Sequence, residues 1–86
     1  MHEQGHFNIA ELFARKLRKA FAEYNFNAHT VGKDIDKLFI LNKQERNEMD
    51  ALYDKETNRS QNGQQQVLWN KKIKSELDNF KQFASV

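Results

Sequence analysis

Residues 8–25, NIAELFARKLRKAFAEYN, carry the clearest structural signal in the chain, because a helix start and a helical period occur together there. Asn8 is a residue type that caps helices, and Glu11 follows at the spacing of a capping box. Apolar residues then recur every three or four positions, which places them on one face of a helix. These residues are Ile9, Phe13, Leu17, Ala20 and Tyr24. The pattern predicts an amphipathic helix whose apolar face packs on other helices.

Three more helices are predicted after this stretch. Thr30 is a candidate N-cap for a short second helix. Asn42 and Glu45 repeat the capping-box spacing, so a third helix is expected to begin there after a break. The last helix is predicted from an apolar stripe at Trp69, Ile73, Leu77, Phe80 and Ala84. The four predicted helices cover residues 9–25, 31–40, 43–56 and 64–84.

Length and composition favour one all-α domain, a small compact bundle of about four helices. The 86 residues suffice for a single domain over residues 1–86, in which residues 1–7 are expected to form a flexible N-terminal tail. The absence of proline and the presence of only three glycines leave few residues that interrupt helices. A chain this short has a thin core, and such a core is often completed by a second chain, so a homodimer is one expectation.

Composition also bears on the compartment. The chain has no cysteine, which excludes disulfides and thiolate metal clusters. The N-terminal residues do not show the basic start and apolar run of a signal peptide. The longest apolar run, residues 38–41, is far shorter than the roughly 20 residues of a membrane-spanning helix. A cytoplasmic protein without a membrane partner is expected.

One motif resembles an enzyme site. Residues 2–6, HEQGH, match H-E-x-x-H, which in zinc proteases places two histidines on one helix face with a glutamate near the metal-bound water. Here the motif precedes the predicted helix start at Asn8, and the remaining histidine is His29. The match is therefore interpreted as a coincidence, and a metallohydrolase is the least favoured hypothesis. Since no phosphate-binding loop and no cysteine nucleophile occur either, we expect no catalytic residue, no metal site, no cofactor and no enzymatic activity.

The favoured hypothesis is a non-catalytic helical interaction module that binds a partner protein and modulates it by occlusion or bridging. Val67 and Leu68 lie off the apolar stripe of the last helix, and Phe83 lies at its edge. Large apolar and aromatic side chains outside a core often anchor interfaces. The candidate partner-binding residues are Leu68, Trp69 and Phe83. The simpler alternative is that Leu68 packs on the preceding polar loop.

The alternative hypothesis is a small DNA- or RNA-binding regulator. Two consecutive helices over residues 31–57 resemble a helix-turn-helix in their lengths. The carboxylates of the second of these helices would, however, repel the phosphates of a nucleic acid. Basic helix faces offer another route, because a stripe of lysine and arginine suffices for phosphate contacts. The candidate nucleic-acid-binding residues are Arg15, Arg18, Lys19, Lys71, Lys74 and Lys81. Ordinary solvated helix faces explain the same pattern. The net charge of +2 favours neither hypothesis.

Overall fold

The computed structural model describes residues 2–58 and 61–85 and consists of three α-helices followed by a short 3-10 helix. The α-helices are α1 (His2–Glu23), α2 (Val31–Thr57) and α3 (Gly63–Asn79), and the 3-10 helix is Lys81–Phe83. The all-α class is confirmed, but the described residues form three α-helices where four were predicted. None of these helices is both long and apolar enough to cross a membrane.

The second and third predicted helices are one helix, α2. The expected break at Asn42 is wrong, because Asn42 lies in the middle of α2 and its side chain donates a hydrogen bond to the Phe13 carbonyl of α1, at 3.0 Å. An asparagine side chain caps a helix when its oxygen accepts a hydrogen bond from a backbone N–H in the first turn of that helix, whereas here the side-chain amide nitrogen donates to a neighbouring helix. The helix-turn-helix-like element predicted over residues 31–57 is therefore also wrong, because α2 is one continuous helix without a turn.

Helix α1 begins earlier than predicted. Asn8 lies inside α1, where its side chain accepts a hydrogen bond from Gln4 and does not cap the helix. Residues 2–7, expected as part of a tail, are helical, and His2, Gly5 and His6 among them contact α2. Gly5 is buried against Tyr53, whose hydroxyl donates to the His2 carbonyl at 3.0 Å. These contacts with a residue about fifty positions away hold the first turns of α1 in place.

Local backbone and capping interactions determine where α2 ends and α3 begins. The chain leaves α2 through Asn58 in the left-handed conformation, a common way to end a helix, with φ at 48°. The Asn62 side chain then accepts a hydrogen bond from the Gln65 amide and caps α3. Helix α3 ends at Asn79, whereas the last helix was predicted to end at residue 84.

Helix α1 lies between the other two and packs against both. Helix α2 is antiparallel to α1, because its last turns contact Gly5 while its middle contacts Phe13. Helix α3 is parallel to α1, because Arg15 reaches Leu77 and Arg18 reaches the segment after it. The buried apolar residues are Ile9, Leu12, Phe13, Tyr53, Trp69 and Ile73. The core therefore involves the first two-thirds of α1, the last third of α2 and the first two-thirds of α3.

At the end of the molecule away from this core, the helices are less completely buried. No residue of α2 before Tyr53 is buried, and the hydrogen bonds that link α2 to α3 among the described residues all involve Tyr53 or Glu56. The result is an elongated molecule, with principal extents of 49, 23 and 15 Å. We call residues 17–41 the hairpin end, which comprises the last turns of α1, the loop and the first turns of α2.

Candidate functional sites

The three predicted partner-binding residues differ in their surroundings. Leu68 lies on α3 and is 57% exposed, whereas Trp69 is only 3% exposed. The Trp69 ring packs edge-on against Tyr53 with centroids 5.3 Å apart, and its Nε1 donates to Glu56 at 2.8 Å. Phe83 is half-buried in the 3-10 helix. Trp69 is thus a core residue, as the apolar stripe of the last helix predicted, and its role in binding a partner stays a prediction.

The two arginines among the six predicted nucleic-acid-binding residues make contacts with the C-terminal part of the chain. Arg15 donates to Glu11 and to the Leu77 carbonyl, both at 2.7 Å. Arg18 donates to the Phe83 carbonyl at 2.6 Å and lies close enough to donate to the Ser85 hydroxyl. Both arginines thus attach the end of α3 and the segment after it to α1. Both guanidinium groups therefore have partners within the chain, and their role in binding nucleic acid stays a prediction.

The four predicted lysines remain at the surface. Lys19 pairs with Glu23 one turn later on α1, at 3.0 Å. The other three, Lys71, Lys74 and Lys81, are exposed on α3 and the 3-10 helix. The six predicted basic residues therefore fall into two groups. The arginines contact other segments of the chain, and the lysines lie at the surface.

The hairpin end exposes an apolar run on α2. Phe39, Ile40 and Leu41 are 51%, 57% and 53% exposed, and Leu38 before them is half-buried. Successive helix residues are about 100° apart, so these four side chains cover most of the circumference of α2. A helix that is apolar on all sides is normally buried on all sides. Here α1 covers one side only.

Aromatic rings extend this surface around the hairpin end. Phe21 of α1 contacts Phe39 of α2, with ring centroids 5.4 Å apart, and lies 6.3 Å from Phe26 of the loop. Tyr24 in turn lies 4.8 Å from Phe26. A groove of about 320 Å³ runs beside these rings between α1 and α2. It is lined by Leu17, Phe39, Ile40, Asn42, Lys43 and Arg46.

A second cluster, of histidine and aspartate, lies at the opposite end of the α1–α2 pair. His2 and His6 are one turn apart on α1, so the motif at residues 2–6 is on a helix after all. The Nε2 atoms of His2 and His6 lie 2.9 and 2.7 Å from the same carboxylate oxygen of Asp54 on α2. His6 Nδ1 lies 2.9 Å from Asp50, one turn before Asp54. We call His2, His6, Asp50 and Asp54 the His–Asp cluster.

Sequence reasoning missed this cluster because the motif precedes the predicted helix start at Asn8, and because His29 was the only other histidine that could serve as a third ligand. His29 instead lies exposed in the turn before α2. The partner is Asp54, which the antiparallel register brings across from α2. The spacing of Asp50 and Asp54 by one helical turn is the only sequence signal, and such acidic pairs on helix surfaces are common.

The His–Asp cluster changes the pKa of His6. Burial lowers the pKa of this imidazole, but hydrogen bonds to Asp50 and Asp54 and the charges of both carboxylates outweigh burial, so the pKa of His6 is raised. Both ring nitrogens can donate only when the ring is protonated. The protonated form therefore bridges the two aspartates, while the neutral form leaves one ring nitrogen free as an acceptor.

The remaining member of the motif, Glu3, lies apart from the cluster. Its side chain is 97% exposed, and its carboxylate comes no closer than 4.0 Å to His2 Nδ1. A general base of a zinc hydrolase must lie over the metal-bound water. The geometry of Glu3 differs from that arrangement.

Comparisons of the chain with protein-family models, with curated proteins and with solved structures found no match. The candidate sites are therefore the hairpin end and the His–Asp cluster, as their geometry defines them.

Proposed function

We propose that the chain is a non-catalytic helical interaction module, which binds a partner protein through the hairpin end and modulates that partner by occlusion or bridging. The observation that supports this most strongly is the exposure of three consecutive apolar side chains, Phe39, Ile40 and Leu41. Burying a large apolar side chain completely contributes about 1.5–3 kcal/mol. Because each of these is half covered already, a partner gains roughly 1 kcal/mol for each of the three.

The groove beside the run suggests what the partner presents. Its floor is apolar, with Leu17, Phe39 and Ile40, and its lining also includes the cations Lys43 and Arg46. An amphipathic helix whose apolar residues recur every three or four positions fits such a groove. Acidic residues beside that apolar face would complement the two cations and favour one orientation. The partner we propose is therefore an apolar helix with acidic flanks.

A second copy of the chain meets this description. Its hairpin end carries the same apolar run, together with Asp34 and Asp36 on the first turns of α2. Two helical hairpins that pack apolar face to apolar face form a four-helix arrangement, which covers helices that one hairpin leaves open. Such an interface would be isologous, so each run would contact the groove of the other copy.

The test compares two exposed apolar residues. Ile40→Glu places a charge in the centre of the proposed interface, and Phe7→Glu places one at a side chain that is 70% exposed on α1 but outside the hairpin end. Sedimentation velocity over a concentration series measures self-association of the wild type and both variants. A photoreactive amino acid at position 40, with one at position 7 as the control, identifies other partner proteins in cells.

The expected result is self-association that Ile40→Glu weakens at least about tenfold, which is about 1.4 kcal/mol, and that Phe7→Glu leaves unchanged, or a protein that crosslinks at position 40 and not at position 7. Equal behaviour of the two variants would contradict the proposal. The nucleic-acid alternative predicts something different. The chain would then co-elute with mixed-sequence nucleic acid at low salt, release it at high salt, and depend on Lys71 and Lys74.

A further inference from the structure

We propose that His2, His6 and Asp54 bind one divalent transition-metal ion, with zinc as the best fit, and that this ion joins the start of α1 to the end of α2. One ligand atom from each residue lies within 4.8 Å of the other two. Around a zinc ion with ligand distances of about 2.0–2.2 Å, neighbouring ligand atoms are about 3.3 Å apart. The two imidazole–carboxylate distances, 2.9 and 2.7 Å, approach that separation to within about half an ångström.

Within the described part of the chain, the Nε2 atom of His2 lacks a hydrogen-bond partner, which suggests that it binds a ligand. This atom is buried, and no hydrogen-bond partner for it exists among residues 2–58 and 61–85, even though the Asp54 oxygen is 2.9 Å away. The contact lacks hydrogen-bond geometry, and the same oxygen already contacts His6. A buried polar atom without a partner is unfavourable. A cation between the three residues gives the Nε2 lone pair of His2 a partner and neutralises the carboxylate.

The surroundings of the two imidazoles match those of metal ligands. A metal-bound histidine usually donates its other ring N–H to a carboxylate, which fixes the ring and its tautomer. Asp50 has this position, 2.9 Å from His6 Nδ1. Tyr53 stacks on His2, with centroids 4.9 Å apart and planes 10° apart, and contacts the edge of His6. Both rings are thus oriented before any ion arrives.

The donor set selects the class of metal. Two imidazole nitrogens and one carboxylate oxygen suit zinc and its first-row neighbours, whereas calcium and magnesium prefer oxygen ligands. Three protein ligands leave one position of a tetrahedral ion for water. Glu3 is 97% exposed and lies apart from the cluster, and the role we assign to the ion is to join α1 to α2.

The experiment uses the full chain without a polyhistidine tag. Isothermal titration with Zn²⁺ at neutral pH measures stoichiometry and affinity, and Co²⁺ absorption reports the coordination geometry. We expect one ion per chain and the intense visible bands of tetrahedral cobalt. His6→Gln should lower the zinc affinity at least about 100-fold, since loss of the carboxylate behind a ligand alone costs about 10–100-fold. Asp50→Asn should show that smaller loss and a shifted cobalt spectrum.

His29→Gln is the matched control, because it removes an exposed imidazole outside the cluster. It should leave affinity, stoichiometry and cobalt spectrum unchanged. Circular dichroism of each variant tests whether the helices are retained. His2→Gln provides a second ligand variant, at the first residue of α1. The proposal is overturned if the wild type binds no stoichiometric zinc, or if His29→Gln lowers the affinity as much as His6→Gln does.

Discussion

Replacing Gly5 by alanine tests how α1 is held against α2. A Cβ at this position would overlap the hydroxyl and Cζ of Tyr53 and lie 3.0 Å from its Cε2. Tyr53 cannot simply turn away, because it is fully buried and its hydroxyl donates to the His2 carbonyl and accepts from Gln66. The substitution therefore forces either α1 or the tyrosine ring to move.

The expected change in the free energy of unfolding follows from three contributions. Alanine stabilises a helix interior by about 1 kcal/mol relative to glycine. Overpacking of a core costs about 1–3 kcal/mol. Displacement of the Tyr53 hydroxyl weakens two hydrogen bonds, each of which contributes about 0.5–1.5 kcal/mol. The net effect of Gly5→Ala is then a destabilisation of roughly 1–5 kcal/mol, opposite in sign to the intrinsic helix preference.

Urea unfolding followed by circular dichroism measures this change. Gly32→Ala is the matched control, since Gly32 is also helical and an added Cβ there meets nothing within 4 Å. It should be neutral or stabilise by up to about 1 kcal/mol. In a Tyr53→Phe background, Gly5→Ala should cost less, because the nearest atom is gone. If Gly5→Ala and Gly32→Ala both leave the chain as stable as the wild type, the close packing inferred here is refuted.

Two further predictions concern charged groups. Because the pKa of His6 is raised, the folded chain binds a proton at this imidazole more tightly than the unfolded chain does. Protonation of His6 therefore stabilises the fold fully below about pH 6.5, and this stabilisation is lost as pH rises through the folded pKa. With chelator present, the melting temperature of the wild type should exceed that of His6→Gln at about pH 5.5 by more than at about pH 8.5, and a constant difference would contradict this. Arg15→Ala should lower the free energy of unfolding by roughly 1.5–3 kcal/mol through loss of the charge-assisted bond to the Leu77 carbonyl. Lys71→Ala should change it by no more than about 0.5 kcal/mol in urea unfolding, and equal effects of the two would refute the role of Arg15.

The parts of the fold that sequence predicts well are those with a strong helical period. The stripe that contains Ile9 and Phe13 and the stripe that contains Trp69 and Ile73 were predicted to face the core, and all four residues are buried. Large apolar side chains at this period leave a helix one favourable way to face its neighbours. The all-α class follows from the same signal.

The errors arise where a local signal competes with a distant contact. Asn42 followed by Glu45 has the spacing of a capping box, but the Asn42 amide finds an acceptor on α1, 29 residues earlier in the chain. The start of α1 shows the same effect, since Gly5 disfavours a helix by itself but lets Tyr53 pack closely. Neither contact partner can be identified without the register of α1 against α2.

That register also explains why the two candidate sites were only partly predictable. Residues 38–41 stand out as an apolar run in a polar chain, but a run that is apolar on all sides predicts burial, whereas Phe39, Ile40 and Leu41 are exposed. The His–Asp cluster depends on the register entirely, because it joins residues 2–6 to Asp54. Ile40 and Asp54 are about 21 Å apart along α2. A charge at the hairpin end and the loss of a ligand at the cluster thus act on separate contacts, and failure of one proposal leaves the other standing.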